Sequence, residues 1–304
     1  MSLVEKFLLG LRNPTLVMDR INREFASKIL SKTRKGAKVF EEDWDFLIIL
    51  DAARYDCIRE YDFGQADVES RISGGSNSIE FIEYNANDRP LDDVVWVTAN
   101  PWVSNYDDRI YKVVNVWDFG WNEDLNTVLP ETIVEATMEA VREYPNKRVV
   151  AHFMQPHYPF IGVTGQNQLP KHRSFTGGDK IESNIDVDIW TQLQNGEVDE
   201  ETVRKAYIEN FDEVVPKAKK LAESLPGKAV ITADHGNEFG TRSFPFPLPI
   251  YGHPAQQRTY GLIEVPWIVY SSDQRRTIKS GEITQEDIDT DVSERLNHLG
   301  YIDE

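Results

Sequence analysis

The chain has 304 residues, 40% of them apolar, which fits one large α/β domain or two small ones with a sizeable core. A single cysteine, Cys57, excludes an internal disulfide framework and fits a reducing compartment, and a net charge of −18 disfavours a nucleic-acid partner. No stretch approaches the roughly 18–20 apolar residues of a spanning helix and no signal-peptide core opens the sequence, so a cytoplasmic protein is expected, with contact at a membrane surface as an extension of that reading.

Residues 1–38 carry nine Lys or Arg against Glu5, Asp19 and Glu24, a local charge of +6 that leaves −24 on the remainder. Val17, Ile21, Phe25 and Ile29 recur every four residues and lay one apolar stripe along a predicted helix whose other face is basic. Either this arm docks on the acidic body through the stripe and opposite charge, or it is a reversible membrane-surface anchor.

From Trp44 onward, strands and helices alternate, which sets residues 39–275 apart as the core and 276–304 as a helical tail packed on it. Predicted strands are Asp45–Leu50, Asp67–Ile72, Val94–Ala99, Tyr111–Trp117, Arg148–Phe153, Ala229–Ala233 and Val265–Tyr270. Predicted helices are Ala53–Tyr61, Ile79–Ala86, Glu131–Tyr144 and Glu200–Leu225, the last broken or kinked near Pro216. The alternation predicts an α/β fold: a mostly parallel central sheet with helices on both faces, plus the N-terminal helical arm. Gly162–Asn195 is rich in Gly, Asn and Asp and reads as a loop excursion or lid. Phe244–Pro249, with a proline at every second position, reads as a stiff connector leading to His253.

Acids and imidazoles recur where the predicted strands stop, the place where open α/β sheets bind ligands. Asp51 ends the run Phe46–Leu50, and Asp234-His235 ends the run Ala229–Ala233, with Gly236 free to turn the chain sharply. A buried Asp51 needs a partner, which either Arg54 or a cation could supply. His152 and His157 follow the run Val149–Ala151, and His253 precedes the run Val265–Tyr270. Carboxylate and imidazole together are metal ligands. Ser73-Gly74-Gly75-Ser76-Asn77-Ser78 follows a strand and opens a helix, where free N–H groups favour an oxyanion. There Ser76 and Ser78 are either candidate nucleophiles or plain caps beside the Asn77–Glu80 capping box.

In this order, Asp51-x-x-Arg54, the Gly/Ser helix start, Pro156-His157-Tyr158-Pro159-Phe160, Asp234-His235-Gly236-Asn237-Glu238 and Gly252-His253-Pro254 resemble the alkaline phosphatase superfamily. Within it the set is similar to the sulfatase-like branch, including archaeal sulfatase-like proteins and phosphoglycerol transferases of the lipoteichoic-acid-synthase type. The likeness runs from about Trp44 to the end, where Arg295–Tyr301 is similar to sulfatase tails. It implies an alkaline-phosphatase-like core in which Asp51, Asp234 and His235 bind a divalent ion (Zn, Mn, Ca or Mg). It further implies that Ser78, with Ser76 in reserve, is the nucleophile on that ion and that His157 and His253 face the transferred group or hold a second ion. Asn100 would donate to a substrate oxygen, and Arg54 would bind substrate or close a salt bridge to Asp51.

Neither serine lies in the Cys/Ser-x-Pro-x-Arg motif of true sulfatases, and Asp51-Ala52 stands where sulfatases have paired aspartates. The expected activity is therefore hydrolysis or transfer of phosphate mono- or diesters, on small-molecule or glycan substrates. Sulfate-ester hydrolysis and a non-catalytic module that binds metal and an anionic glycan are the alternatives.

Overall fold

Phe46–Leu50 is apolar at every position and fully buried, as a strand covered on both faces must be. In the computed structural model, which describes residues 13–170 and 188–283 together with Val292, Arg295 and Leu299, this strand is the centre of a seven-stranded sheet. The strands in chain order are β1 (Phe46–Leu50), β2 (Asp67–Ile72), β3 (Leu91–Thr98), β4 (Ile110–Asn115), β5 (Trp121–Asn122), β6 (Thr127–Val128), β7 (Arg148–Phe153), β8 (Ala229–Thr232), β9 (Glu238–Arg242), β10 (Pro249–Gly252) and β11 (Glu264–Tyr270). The sheet order is β2-β11-β8-β1-β7-β3-β4, and β11 alone runs against its neighbours. β5–β6 and β9–β10 form separate two-stranded hairpins.

Helices cover both faces, so the mostly parallel α/β fold predicted from the sequence is the observed one. The main helices are α1 (Pro14–Phe25), α2 (Ser78–Ala86), α3 (Pro130–Glu143) and α4 (Glu200–Ser224). One core layer packs Phe46, Ile48 and Leu50 against Ile133 of α3 and Phe211 of α4. The opposite layer packs Leu47, Ile49 and Trp96 against Phe81 and Ile82 of α2. The register sets Thr98, His152, Ile49 and Thr232 in one row across four adjacent strands. Because side chains alternate, the residues two positions on, Asn100, Asp51 and Asp234, leave the sheet at the same edge and on α2's face.

Several elements differ from expectation. β4 stops at Asn115, and Val116–Phe119 is a helical turn. The helix after β1 shrinks to Tyr55–Ile58, because Ala52 takes φ 60° and the chain must recover from it. α4 passes through Pro216 unbroken, held on both sides of the proline by the buried Val214, Val215, Ala218 and Leu221. Within the excursion at 162–195, Val163–Gln168 and Ile189–Asn195 are helical, the second capped by Asp188 and stopped by Gly196 at φ 73°. Residues 171–187 of that expected lid lie outside the described residues. Most of the tail at 276–304 does too, although Leu299 is buried in the core and Arg295 lies over Trp121.

The arm is docked, but not by its stripe. Val17, Ile21 and Ile29 are 41%, 43% and 50% exposed. The face that meets the body carries Asn22 and Ala26. The Asn22 amide donates to Ser243 Oγ and to the Phe246 carbonyl, each at 2.8 Å, and accepts from the Phe246 N–H at 2.9 Å. A buried amide so well matched outweighs a stripe that can remain in contact with water. Replacing Asn22→Ala should cost about 1–3 kcal/mol by leaving buried partners unmet. Hydrogen exchange should rise in residues 14–33 with the central sheet unchanged; uniform deprotection of the molecule would contradict this local role.

Candidate metal centre

At the shared sheet edge, Asp51, Ser78, Asn100, His152, His157, Asp234 and His235 come together, each almost wholly excluded from solvent. Ser78 opens α2, whose start is set by Asn77, its side chain accepting from the Glu80 N–H at 2.9 Å. This places Ser78 Oγ 2.7 Å from Asp234 Oδ2, 3.4 Å from Asp51 Oδ2 and 3.4 Å from His235 Nε2. Ser76, two residues earlier, is turned away. Its hydroxyl lies 2.9 Å from both Glu80 Oε2 and the Pro254 carbonyl, which share its one proton, and accepts from the Gln257 N–H, so it serves the cap and not the cluster.

The other oxygen of Asp234 is committed to the backbone: Oδ1 accepts from Ala52 N–H at 3.0 Å and His235 N–H at 2.8 Å. Those two bonds leave Oδ2 aimed at Ser78. They also explain Ala52, a non-glycine residue in the left-handed region, where the backbone strain is of order 1–3 kcal/mol. The Tyr207 hydroxyl donates to the Ala52 carbonyl at 2.5 Å and holds the turn from the far side. Gly236 does not supply the sharp turn expected of it, and its φ is not in the positive range. It is needed because a Cβ there would lie 2.1 Å from the Gly261 carbonyl oxygen. His253 follows Gly252, which takes φ 65° against Trp190.

The histidine tautomers follow from their carbonyl neighbours. His235 Nδ1 lies 2.8 Å from the Gly236 carbonyl, so Nδ1 carries the proton and the Nε2 lone pair faces the carboxylates. That nitrogen is 3.5 Å from Asp51 Oδ1 and 3.5 Å from Asp234 Oδ2. His157 Nδ1 likewise donates to the Tyr158 carbonyl, so in the neutral ring its Nε2 accepts from His253 Nε2, 2.8 Å away. The His253 ring also lies 4.7 Å from that of His235, and His253 alone of the set is only half-buried, at the mouth of the site.

Two sequence-predicted substrate residues have other engagements. Asn100 donates to Asp51 Oδ2 at 2.8 Å and to Ser78 Oγ at 3.1 Å, which steadies the cluster from below. Arg54 does not pair with Asp51. Its guanidinium meets Asp56 at 2.6 Å, the Asn237 carbonyl at 2.6 Å and Glu238 at 3.3 Å, because the left-handed turn at Ala52 sends the chain away from the cluster. Sequence reasoning gave too little weight to His152. Its Nε2 stands 3.7 Å from Asp51 Oδ2 and 4.0 Å from Asp234 Oδ2, on the row of side chains beneath them. It also missed Asn237, wholly buried with both amide atoms lacking a hydrogen-bond partner. The signal was available: an amide next to Asp-His-Gly cannot be an ordinary surface residue when the strand before it is buried.

The donor set suits a divalent cation. Asp51, His152 and Asp234 present ligand atoms within 4.8 Å of one another. His235 lies closer to both carboxylates than His152 does and fixes its tautomer by a carbonyl, as metal-bound imidazoles do. Ligands about 2.0–2.1 Å from a tetrahedral ion stand roughly 3.3–3.4 Å apart. His235 Nε2 stands at 3.4–3.5 Å from Ser78 Oγ, Asp51 Oδ1 and Asp234 Oδ2, close to that spacing, whereas Ser78 Oγ and Asp234 Oδ2 are joined at 2.7 Å by a hydrogen bond. Burial alone would raise the Asp51 carboxyl, but the imidazoles packed around it, His152 first and then His157 and His235, hold it below the usual carboxylate range. No thiolate belongs to the cluster. Cys57 lies in the helical turn after β1, where burial pushes its thiol up to about 11.

No protein-family model matches the chain, and no curated protein matches it. Among solved structures it is similar to the soluble domain of lipooligosaccharide phosphoethanolamine transferase A from Neisseria meningitidis (TM-score 0.48, 10% identity, 75% of this chain and 76% of that one). It is also similar to the C-terminal periplasmic domain of phosphoethanolamine transferase EptC from Campylobacter jejuni (TM-score 0.47, 14% identity, 75% and 78%). A third is the corresponding EcEptC domain from Escherichia coli in complex with Zn (TM-score 0.46, 13% identity, 75% and 72%).

Burial pushes the imidazole of His157 below its ordinary value, and burial, followed by the crowding of the His235 and His157 imidazoles against it, pushes that of His253 well below it. Both rings then stay neutral when folded but titrate near about 6.5 when unfolded. Below that pH the unfolded chain binds more protons, so stability is retained above about pH 6.5 and falls as the pH drops, by at most about 1.4 kcal/mol per pH unit for each ring. Chemical denaturation of chelator-treated protein across that range should show the decline, and His253→Asn should make it shallower by the share of that ring. An unchanged slope would mean these rings are not held neutral.

Proposed function

We propose that the chain is a metal-dependent hydrolase or transferase of phosphate mono- or diesters, of the alkaline phosphatase type, with Ser78 as nucleophile. The observation that carries this is the position of Ser78 Oγ, hydrogen-bonded to Asp234 Oδ2 at 2.7 Å on the first turn of α2 and 3.4 Å from the His235 lone pair. Phosphate-ester cleavage can demand accelerations of up to ~10²¹. General acid–base help alone provides about 10²–10⁴. The rest must come from charge stabilisation. A divalent ion held by Asp51, Asp234, His235 and Ser78 would lower the pKa of the serine hydroxyl and offset charge on a phosphoryl oxygen.

The chain's own groups account for the proton and the orientation. Asp234 Oδ2 accepts the hydroxyl proton of Ser78. Asn100 donates to Oγ and so orients its remaining lone pair toward the incoming phosphorus. Ser78 Oγ forms the new P–O bond as the bond to the leaving oxygen breaks, which gives a phosphoserine. Water or an acceptor hydroxyl then takes the phosphoryl group and restores the serine. His157 and His253, neutral and joined at 2.8 Å, line the approach. The His253 Nε2–H donates to His157 in the resting site and can turn to the leaving oxygen. The N–H groups of α2's first turn favour the anionic group.

Purified protein supplied with Zn²⁺ or Mn²⁺ should turn over an aryl phosphate or a bis-aryl diester. Ser78→Ala should lower kcat by at least about 10³-fold, in line with loss of a nucleophile acting as one unit with its neighbours. Ser76→Ala should change it by less than about tenfold, because Ser76 serves only the cap. Mass spectrometry of protein quenched during turnover should locate the phosphoryl group on Ser78. Full activity in Ser78→Ala would remove the serine from the mechanism, and turnover of an aryl sulfate in preference to the phosphate would transfer the reading to sulfate esters.

A further inference from the structure

The docked arm turns its apolar stripe outward. Val17, Ile21 and Ile29 are exposed, and Phe25 packs edge-on against Phe244 at 5.2 Å, which extends the stripe to a connector residue that is itself 63% exposed. Large apolar side chains in a shared line on a fixed helix call for an occupant. The charge around them says which. Arg20 and Lys28 are 77% and 72% exposed, and Lys32 and Lys35 are exposed further along. Two copies of this chain, each of net charge −18, repel one another as wholes, whereas an anionic surface can be met by the basic arm alone. The sequence of residues 1–12 continues the apolar and basic mixture with Leu3, Val4, Lys6, Phe7, Leu8 and Arg12.

We infer that this face docks on an anionic bilayer surface. The apolar stripe and Phe244 would enter the headgroup boundary while Arg20, Lys28, Lys32 and Lys35 meet lipid phosphates, the arrangement of an interfacial helix. The arm's position gives the docking a consequence. Asn22 grips the 243–246 connector, Arg23 donates to the Ala255 carbonyl at 3.2 Å, and His253 lies between those two anchor points in the chain. A cavity of about 390 Å³ is lined by Ala26, Leu30 and Arg34 of the arm and by Arg54, Arg258 and Tyr260 of the core, and Arg34 itself bonds Arg258 and lies 4.4 Å over the Tyr260 ring. Membrane contact at the arm therefore holds the half-buried edge of the metal centre close to the lipid surface. The inference rests on the arm alone and stands or falls without the catalytic reading.

The test is flotation of the full chain with vesicles of phosphatidylcholine containing phosphatidylglycerol, against vesicles of phosphatidylcholine alone. The protein should float with the anionic vesicles and stay behind with the neutral ones, and raised salt should release it. The surface variant Val17→Glu, Ile21→Glu, Ile29→Glu should lose at least about tenfold in partitioning. Arg20→Gln, Lys28→Gln, Lys32→Gln should lose a comparable factor while keeping the apolar stripe. Unchanged thermal unfolding of both variants keeps the comparison meaningful, because these side chains are exposed. Equal binding to neutral vesicles, flotation unaffected by either variant, or a dimer that the glutamate variant dissociates would each overturn the proposal.

Discussion

Two carboxylates and the lone pair of a neutral imidazole are buried together at the tip of the central sheet, and this concentration of negative potential is the constraint around which the rest is arranged. Asp51, Asp234 and His235 could not share a few cubic ångströms of low-dielectric space without positive charge or hydrogen-bond donors nearby. The chain meets part of the demand itself. Asn100 donates to Asp51, backbone N–H groups of Ala52 and His235 satisfy one oxygen of Asp234, and Ser78 donates to the other. What remains is a buried cluster of oxygen and nitrogen donors of the kind that could hold a divalent ion.

The fold delivers those donors by register. Four neighbouring strands place Thr98, His152, Ile49 and Thr232 in one row, and on three of them the residues two steps further on, Asn100, Asp51 and Asp234, emerge side by side. Some of the local geometry is costly. Ala52 occupies the left-handed region, held there by bonds to Asp234 and Tyr207, and strain of that kind persists only where its surroundings impose it. Gly236 passes so close to Gly261 that no side chain could be accommodated. The Asp-His-Gly sequence is thus explained by tight packing of the 234–237 segment on β11's approach rather than by a turn.

Much of this was legible in the sequence because buried parallel strands are continuous apolar runs. Arg148–Phe153 and Asp67–Ile72 have the bounds expected of them, and the acids that follow β1 and β8 lie where the runs stop. Pro130 marks the start of α3 for a local reason, its fixed φ and missing N–H. The misses share a cause, which is that tertiary partners decided the outcome. Asn22 reads as a solvated helix residue until its three partners on the connector are seen. Arg54 is near Asp51 in sequence and is carried away by one left-handed residue. His152 looks like a core strand position, and only the register shows that it lies under both aspartates. The β9–β10 hairpin was hidden by the prolines between its strands.

The arm and the candidate metal site are joined by the same connector, so that the basic, apolar surface and the acidic, polar cluster are neighbours despite their opposite chemistry. The central claim, however, concerns the cluster alone. Crystals grown with Zn²⁺ or Mn²⁺ and measured on both sides of the metal's absorption edge test it most directly. The account predicts an anomalous peak within bonding distance of Asp51, Asp234 and His235, with Ser78 Oγ beside it, and loss of that peak in Asp234→Asn. Absence of a peak there in the parent protein, or carboxylates of residues 51 and 234 that point apart, would contradict it.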